Sequence, residues 1–357
     1  MTATLQVKRD NLAETRLVVG ETPVLSEGEI LAKVDRFALT ANNVTYGVVG
    51  EKIGYWNFFP APDGWGVIPV WGFADIIASR AEGVLEGERL YGYFPMGTHL
   101  VMAPGKTSTE RLVDASAHRA SLPPVYNSYA RVSAEPHYER GLDDLRALLF
   151  PLYATSFCLY DFLADNSWFG ADQIVIVSAS SKTAIGLAYA LSKDAAAPPT
   201  VGLTSPPNAV MVNELQLYRA VVTYDALEAI DAAKKTTIVD MSGSGSILSR
   251  LHSHLGDNMR YCSNVGVTHY DDTHMGPGFI RERSAMFFAP GHIQKRAEDW
   301  GPGQFDKRAF AFWRDAAMSS KTWLQVETVR GADAMEAAFH RIRLGQARPE
   351  TGLIVAL

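Results

Sequence analysis

At 357 residues, 47% hydrophobic and 20% charged, the chain has material for more than one buried core, and the usual domain size favours two. A net charge of −6 gives no basic footprint for nucleic acid, no apolar run reaches the roughly 18 residues that span a bilayer, and the mixed polar start lacks the apolar core of a signal peptide. Two cysteines, Cys158 and Cys262, exclude a disulfide framework and, without clustered Cys/His ligands, argue against a zinc centre, so the expected compartment is a reducing cytoplasm.

Residues up to about 110 read as β-rich: short apolar stretches at 29–34, 67–78 and 98–102 are punctuated by Gly, Pro, Asp and Asn. Within them lies a polar loop, Thr40-Ala-Asn42-Asn43-Val-Thr-Tyr46, followed by Tyr55, Trp56, Phe58, Phe59 and Trp65. Without a metal, a carbonyl has to be polarised by a side-chain donor, a backbone N–H or water. Tyr46 is the first candidate for that donor, with Asn42 and Asn43 orienting it. A turn with a packed tyrosine is the plainer reading. Tyr55, Trp56 and Phe59 are candidate walls of an apolar pocket. An irregular connector, 122–140, adds Tyr126 and Tyr129 to that pocket. Asp161 reads as a structural partner of a tyrosine or a helix end.

From about Asp172 the pattern becomes an alternation of strands and helices. Strands are expected at 173–180, 200–205, 220–225, 236–241, 260–266 and 284–290, with a helix at 183–193, and β–α alternation means a parallel sheet covered on both faces. Helices at 305–324 and 332–344 and a strand at 352–357 follow, and the last part is expected to return to the first domain.

A dinucleotide fold rests its pyrophosphate on the turn after the first strand. Here that turn is Ser178-Ala-Ser180-Ser181-Lys182-Thr183-Ala-Ile-Gly186, with one glycine where the fingerprint has three. Small hydroxyl residues and one lysine still suit an anion. The second strand ends Thr204-Ser205-Pro-Pro-Asn208, without the acid that an NAD enzyme uses for the ribose. NADP(H) is therefore the expected cofactor. His252 and His254 fall on different faces of a helix, and His269, Asp271, Asp272 and His274 read as a solvated loop, so no metal is expected.

Gly87-Glu-Arg-Leu-Tyr91-Gly, Leu152-Tyr-Ala-Thr155-Ser, Thr223-Tyr-Asp225 and Val239-Asp240-Met-Ser242-Gly243 resemble, in order and spacing, motifs of the zinc-independent medium-chain quinone and enoyl reductases. More narrowly, residues 178–190, Leu203-Thr-Ser-Pro206, Phe287-Phe-Ala-Pro290 and Lys295-Arg with Asp299-Trp-Gly resemble a branch known only as a domain of unknown function. The resemblance implies an α/β protein: a Rossmann dinucleotide-binding domain at 150–318, and a β-rich GroES-like catalytic domain at 1–149 with 319–357. Thr155, Tyr218, Met241, Ser242, Gly243 and Val265 complete the cofactor candidates, and Phe288 the pocket. A homodimer paired through 284–290 is expected. The function that follows is NADPH-dependent reduction of a small carbonyl, enone or quinone without metal. A non-catalytic NADP(H)-binding sensor or scaffold is the alternative.

Overall fold

A computed structural model describes residues 1–266, 272 and 274–357. The chain divides into two units, the first comprising 1–148 with 324–357 and the second 149–323.

The first unit opens with β1 (Thr2–Lys8), β2 (Asn11–Gly20) and β3 (Ile30–Leu39), then α1 (Ala41–Val48) and α2 (Gly50–Ile53). β4 (Trp65–Gly66), β5 (Pro69–Ser79), β6 (Arg89–Pro95), β7 (His99–Met102), β8 (Pro104–Thr107), β9 (Arg111–Asp114) and β10 (Ser128–Arg131) follow. The segment at 40–46 is a helix and not the expected loop. Thr40 starts it through a capping box in which the Asn43 carboxamide accepts from the Thr40 amide at 2.8 Å.

α3 (Asp143–Asp165) passes from the first unit into the second and carries Pro151 in its interior. With the turn before it, it is long and apolar enough to span a membrane by length and composition, although no such run was expected. Half of its apolar window is buried within the fold. The sequence hides it because charges at both ends and Pro151 interrupt the run.

The second unit continues with β11 (Gln173–Val177), α4 (Lys182–Ser192), β12 (Thr200–Thr204), α5 (Ala209–Glu214), β13 (Ala220–Thr223), β14 (Thr236–Asp240), α6 (Gly245–Leu255), β15 (Met259–Asn264), β16 (Ser284–Met286), α7 (Ala289–Trp300) and α8 (Gln304–Ser320). The expected strand at 284–290 stops at Met286, because Pro290 suits the first turn of a helix. All six strands run parallel in the order β13-β12-β11-β14-β15-β16. Ile174 and Ile176 pack on one face of β11, Val175 and Val177 on the other, so an unbroken apolar run is buried on both sides. The order reverses between β11 and β14, which opens a crevice at the strands' carboxyl ends.

The chain then returns to the first unit as β17 (Gln325–Arg330), α9 (Ala334–Arg343) and β18 (Thr351–Ala356). β18 inserts between β17 and β3, extending the sheet that runs on through β5, β6, β10, β9 and β8. Phe37, Val70, Phe94, Phe339 and Val355 are among the buried residues of its core.

Candidate functional site

In the second unit, the hydroxyl-rich turn leaves β11 at the crevice. Ser178 adopts φ 60°, a left-handed conformation that favours glycine, and pairs with the Tyr224 hydroxyl. Ser181 is the N-cap of α4, its Oγ accepting from the Ala184 amide at 3.3 Å, which leaves Lys182 and Thr183 as the first helical residues. Gly186 has its counterpart in packing: a Cβ there would sit 2.6 Å from both the Tyr153 ring and Ser156 Oγ.

Ser180 gathers the end of β12. Its Oγ accepts from Asn208 Nδ2 at 3.0 Å and from the buried Thr204 Oγ1 at 3.4 Å, with half-buried Ser205 between these two in sequence. Four segments distant in sequence, 178–186, 204–208, 241–243 and 265, thus meet at the carboxyl edge of one sheet.

Several expected cofactor contacts spend their donors elsewhere. Ser242 and Gly243 bond the buried Asp240 carboxylate, through the Ser242 amide at 2.8 Å and Oγ at 2.6 Å and the Gly243 amide at 2.9 Å. Met241 and Val265 give their amides to Val177 and Asp240 carbonyls, Tyr218 its hydroxyl to the Ala179 carbonyl at 2.9 Å, and Thr155 its hydroxyl to the Pro151 carbonyl at 3.0 Å. These donated bonds brace the edge itself.

In the first unit, Tyr46 and Asn42 sit one helical turn apart on α1. Asn42 Nδ2 donates to Tyr46 Oη at 2.8 Å, and Trp71 Nε1 donates to the same oxygen at 3.2 Å. Burial raises the Tyr46 phenol well above its ordinary pKa, so it is a neutral group at working pH. Around it lie Tyr55, Phe58, Phe59, Tyr93 and Tyr126, with Tyr55 and Tyr126 sharing a hydroxyl–hydroxyl bond at 3.1 Å.

Three expected members of this group have other tasks. Asn43 is buried, its amide divided between Thr40 and the Pro69 carbonyl, so it fixes α1 and does not orient Tyr46. Trp56 belongs to the core, lying so close to Gly66 that a Cβ there would fall 2.3 Å from its ring. Tyr129 is fully buried, taking a bond from Arg119 at 2.9 Å and giving one to the Tyr93 carbonyl at 2.5 Å. Arg119 in turn pairs with Asp114 at 3.1 Å, both side chains sealed from solvent. Phe288 belongs to the second unit, where it is 53% exposed.

Among the described residues no three His, Cys, Asp or Glu side chains converge as metal ligands. His269 and Asp271 lie outside the described residues. Asp272 is no solvated loop residue: its carboxylate accepts from Ser244 and Ser246 at the start of α6. His252 Nδ1 accepts from the Ile280 amide at 3.0 Å and His254 bonds the Ile230 carbonyl. Asp161 pairs with His292 and Arg296 where a tyrosine or helix end was expected.

The family model described as Protein of unknown function (DUF2855) matches residues 37–348. The chain belongs to this family. No curated protein matches the sequence. Among solved structures, CurA from Vibrio vulnificus in complex with NADPH is 11% identical with a TM-score of 0.64, over 99% of this chain and 98% of that one. The mycobacterial protein Rv1454c complexed with NADPH is 10% identical with a TM-score of 0.63, over 100% of both chains. CurK enoyl reductase is 14% identical with a TM-score of 0.56, over 99% of both. These likenesses show the fold: a Rossmann-type parallel sheet with a β-rich GroES-like unit, as in the medium-chain reductases.

Trp71 and Tyr93 were not among the residues singled out in this family member's sequence. A signal was present: Trp71-Gly-Phe73 and Tyr91-Gly-Tyr93 share an aromatic-Gly-aromatic pattern, and strand pairing sets Trp71 opposite Tyr93.

Proposed function

We propose that this chain is an NADPH-dependent oxidoreductase that reduces a small carbonyl, enone or quinone compound without a metal. One observation carries the reading. At the switch point of a parallel sheet, the turn Ser178–Thr183 meets Ser205 and Asn208, with buried Thr204 bracing Ser180, a set of hydroxyls and an amide with one lysine and no acid at the end of β12. That set fits a phosphorylated ribose, which a carboxylate would repel. The pyrophosphate is held by the start of α4, where the first amides of a helix have no intrahelical acceptor and Lys182 adds a full charge.

The solved relatives CurA and Rv1454c are NADPH complexes, which supports the same cofactor here. When bound, NADPH supplies the hydride. The protein's part is to bind, orient and polarise. Tyr46, kept neutral by burial, gives a hydrogen bond to the substrate oxygen as negative charge grows there, and Asn42 holds its ring oxygen in place. The exposed Met286 and Phe288 at the β16 edge fit a second copy of the chain, giving a homodimer.

Thermal shift is the test. NADPH should raise the melting temperature much more than NADH, and Lys182→Ala should weaken NADPH by roughly ten- to a hundredfold, the loss of a hydrogen bond from a charged group. Equal shifts with both nucleotides refute the cofactor assignment. Tight binding without turnover on enones, quinones or aldehydes makes the chain a sensor.

A further inference from the structure

The start of α4 does not owe its position to the sheet alone. Ala184, Leu187, Ala188 and Leu191 pack with Ile174 and Ile176 of β11 and with Leu159 and Leu163 of α3. Apolar burial is non-directional, so it presses a helix onto its neighbours but only weakly fixes its place along its own axis.

α3 supplies the directional contact. A Cβ at Gly186 would lie 2.6 Å from both Ser156 Oγ and the Tyr153 ring, so the two helices approach as closely as a bare backbone allows. At this approach Ser156 Oγ donates to the Thr183 carbonyl of α4 at 2.8 Å, and it lies 3.0 Å from the Leu152 carbonyl of its own helix. A hydroxyl has one hydrogen to divide between the two. A serine inside a helix ordinarily gives it to its own i−4 carbonyl, yet here the nearer acceptor belongs to the other helix. Ser156 is completely buried, so the bond is shielded from solvent.

Thr183 is the second residue of α4, within the first turn whose amides have no intrahelical acceptor. Another tie to α4, from Tyr189 Oη to Asp315 at 2.6 Å, falls further along the helix. The Ser156 bond lands on the turn itself.

We infer that Ser156 is a positioning residue for the anion-binding turn: its hydroxyl ties Thr183 to α3 and so sets where the first amides of α4 stand against a pyrophosphate. Buried as it is, Ser156 acts through Thr183 and not on the ligand. The inference rests on reading the start of α4 as the pyrophosphate site.

The experiment titrates the full chain calorimetrically with NADPH and with adenosine 2′-monophosphate, which keeps the 2′-phosphate and lacks the pyrophosphate. Ser156→Ala should weaken NADPH about three- to tenfold, the worth of one net hydrogen bond, and leave the fragment within about twofold. A general loosening of the fold would weaken both alike, so a parallel loss overturns the inference, and so does an unchanged NADPH affinity. Gly186→Ala, whose methyl would push α4 away from α3, should give the same one-sided loss, and a loss shared by both probes overturns the inference again. Should either variant fail to fold, Ser156→Cys, which nearly keeps the size and weakens the donor, decides by the same one-sided loss or its absence. A wild-type chain that binds neither probe refutes the cofactor reading and the inference with it. One that binds both, while Ser156→Ala loses neither, refutes the inference alone.

Discussion

The two candidate regions solve the same problem, offering donors to a ligand, by opposite means. In the second unit the first donors belong to the backbone, with Lys182 and a few small polar side chains added: strand β11 ends, the chain turns through Ser178, and a helix N-terminus is aimed by the topology of the sheet. Side chains there mostly brace the turn. In the first unit the donors are phenols, an indole and an amide, and their direction is set by one another across α1, β5 and β6. A backbone site tolerates substitution at its edge as long as the turn keeps its shape. A side-chain site depends on each neighbour.

That contrast can be broken most sharply beneath the phenol cluster. Arg119→Ala leaves the sealed Asp114 without its cation and removes the donor to Tyr129. Breaking a buried pair in this way costs about 3–5 kcal/mol. Chemical denaturation followed by circular dichroism should show that loss. NADPH binding below the transition should be unchanged, and a weakened nucleotide would mean that the two regions are not independent.

A second, smaller effect belongs to the other unit. Burial lowers the His252 pKa to about 4 from an ordinary 6.5. The unfolded chain then takes up the proton first as pH falls, so stability is flat above pH 6.5 and declines between 6.5 and about 4, by up to about 3 kcal/mol. Protonation would also displace the Ile280 amide from Nδ1. Melting curves across this range should show the slope, and His252→Gln, which keeps an acceptor, should flatten it. A wild-type profile already flat through this window contradicts the assignment.

The smallest effect sharpens the comparison. Ser178→Gly relieves a left-handed serine, for a gain of at most about 1 kcal/mol, offset in part by the lost contact with Tyr224. Because the backbone keeps its path, NADPH affinity should hold within about twofold, a change worth less than a net hydrogen bond. A large loss measured by titration would show that the Ser178 hydroxyl itself touches the ligand.

The same contrast explains what the sequence reveals. The parallel sheet was legible because 173–177, 200–204 and 236–240 are apolar or β-branched runs spaced by helices, a pattern enforced by burial on both faces. The candidate phosphate turn followed from its place after the first run. α1 was not legible: Asn42, Asn43 and Thr45 are poor helix formers, and the capping box that starts it shows Thr then Asn where Glu or Gln is usual. α7 was hidden by Phe287 and Phe288, which extend the apolar look of β16 past its end. Tyr46 and Asn42 were legible as polar residues ahead of an aromatic run, but not as one helical turn apart. Trp71 was not, since its partner lies on another element and only strand pairing brings them together. Tyr129 and Trp56 look the same in sequence as Tyr126 and Tyr55, and only packing separates core from cluster.

The return of the chain to its first unit has a consequence for synthesis. β3 is made early, yet its partner β18 is separated from it by more than the whole parallel-sheet unit, which is contiguous in sequence. On a ribosome, where domains fold as they emerge, the second unit can close while the first still waits with one flank of β3 unpaired. The unit that begins first is completed last, and the exposed β3 flank is where a nascent chain of this family most needs protection from a neighbouring strand.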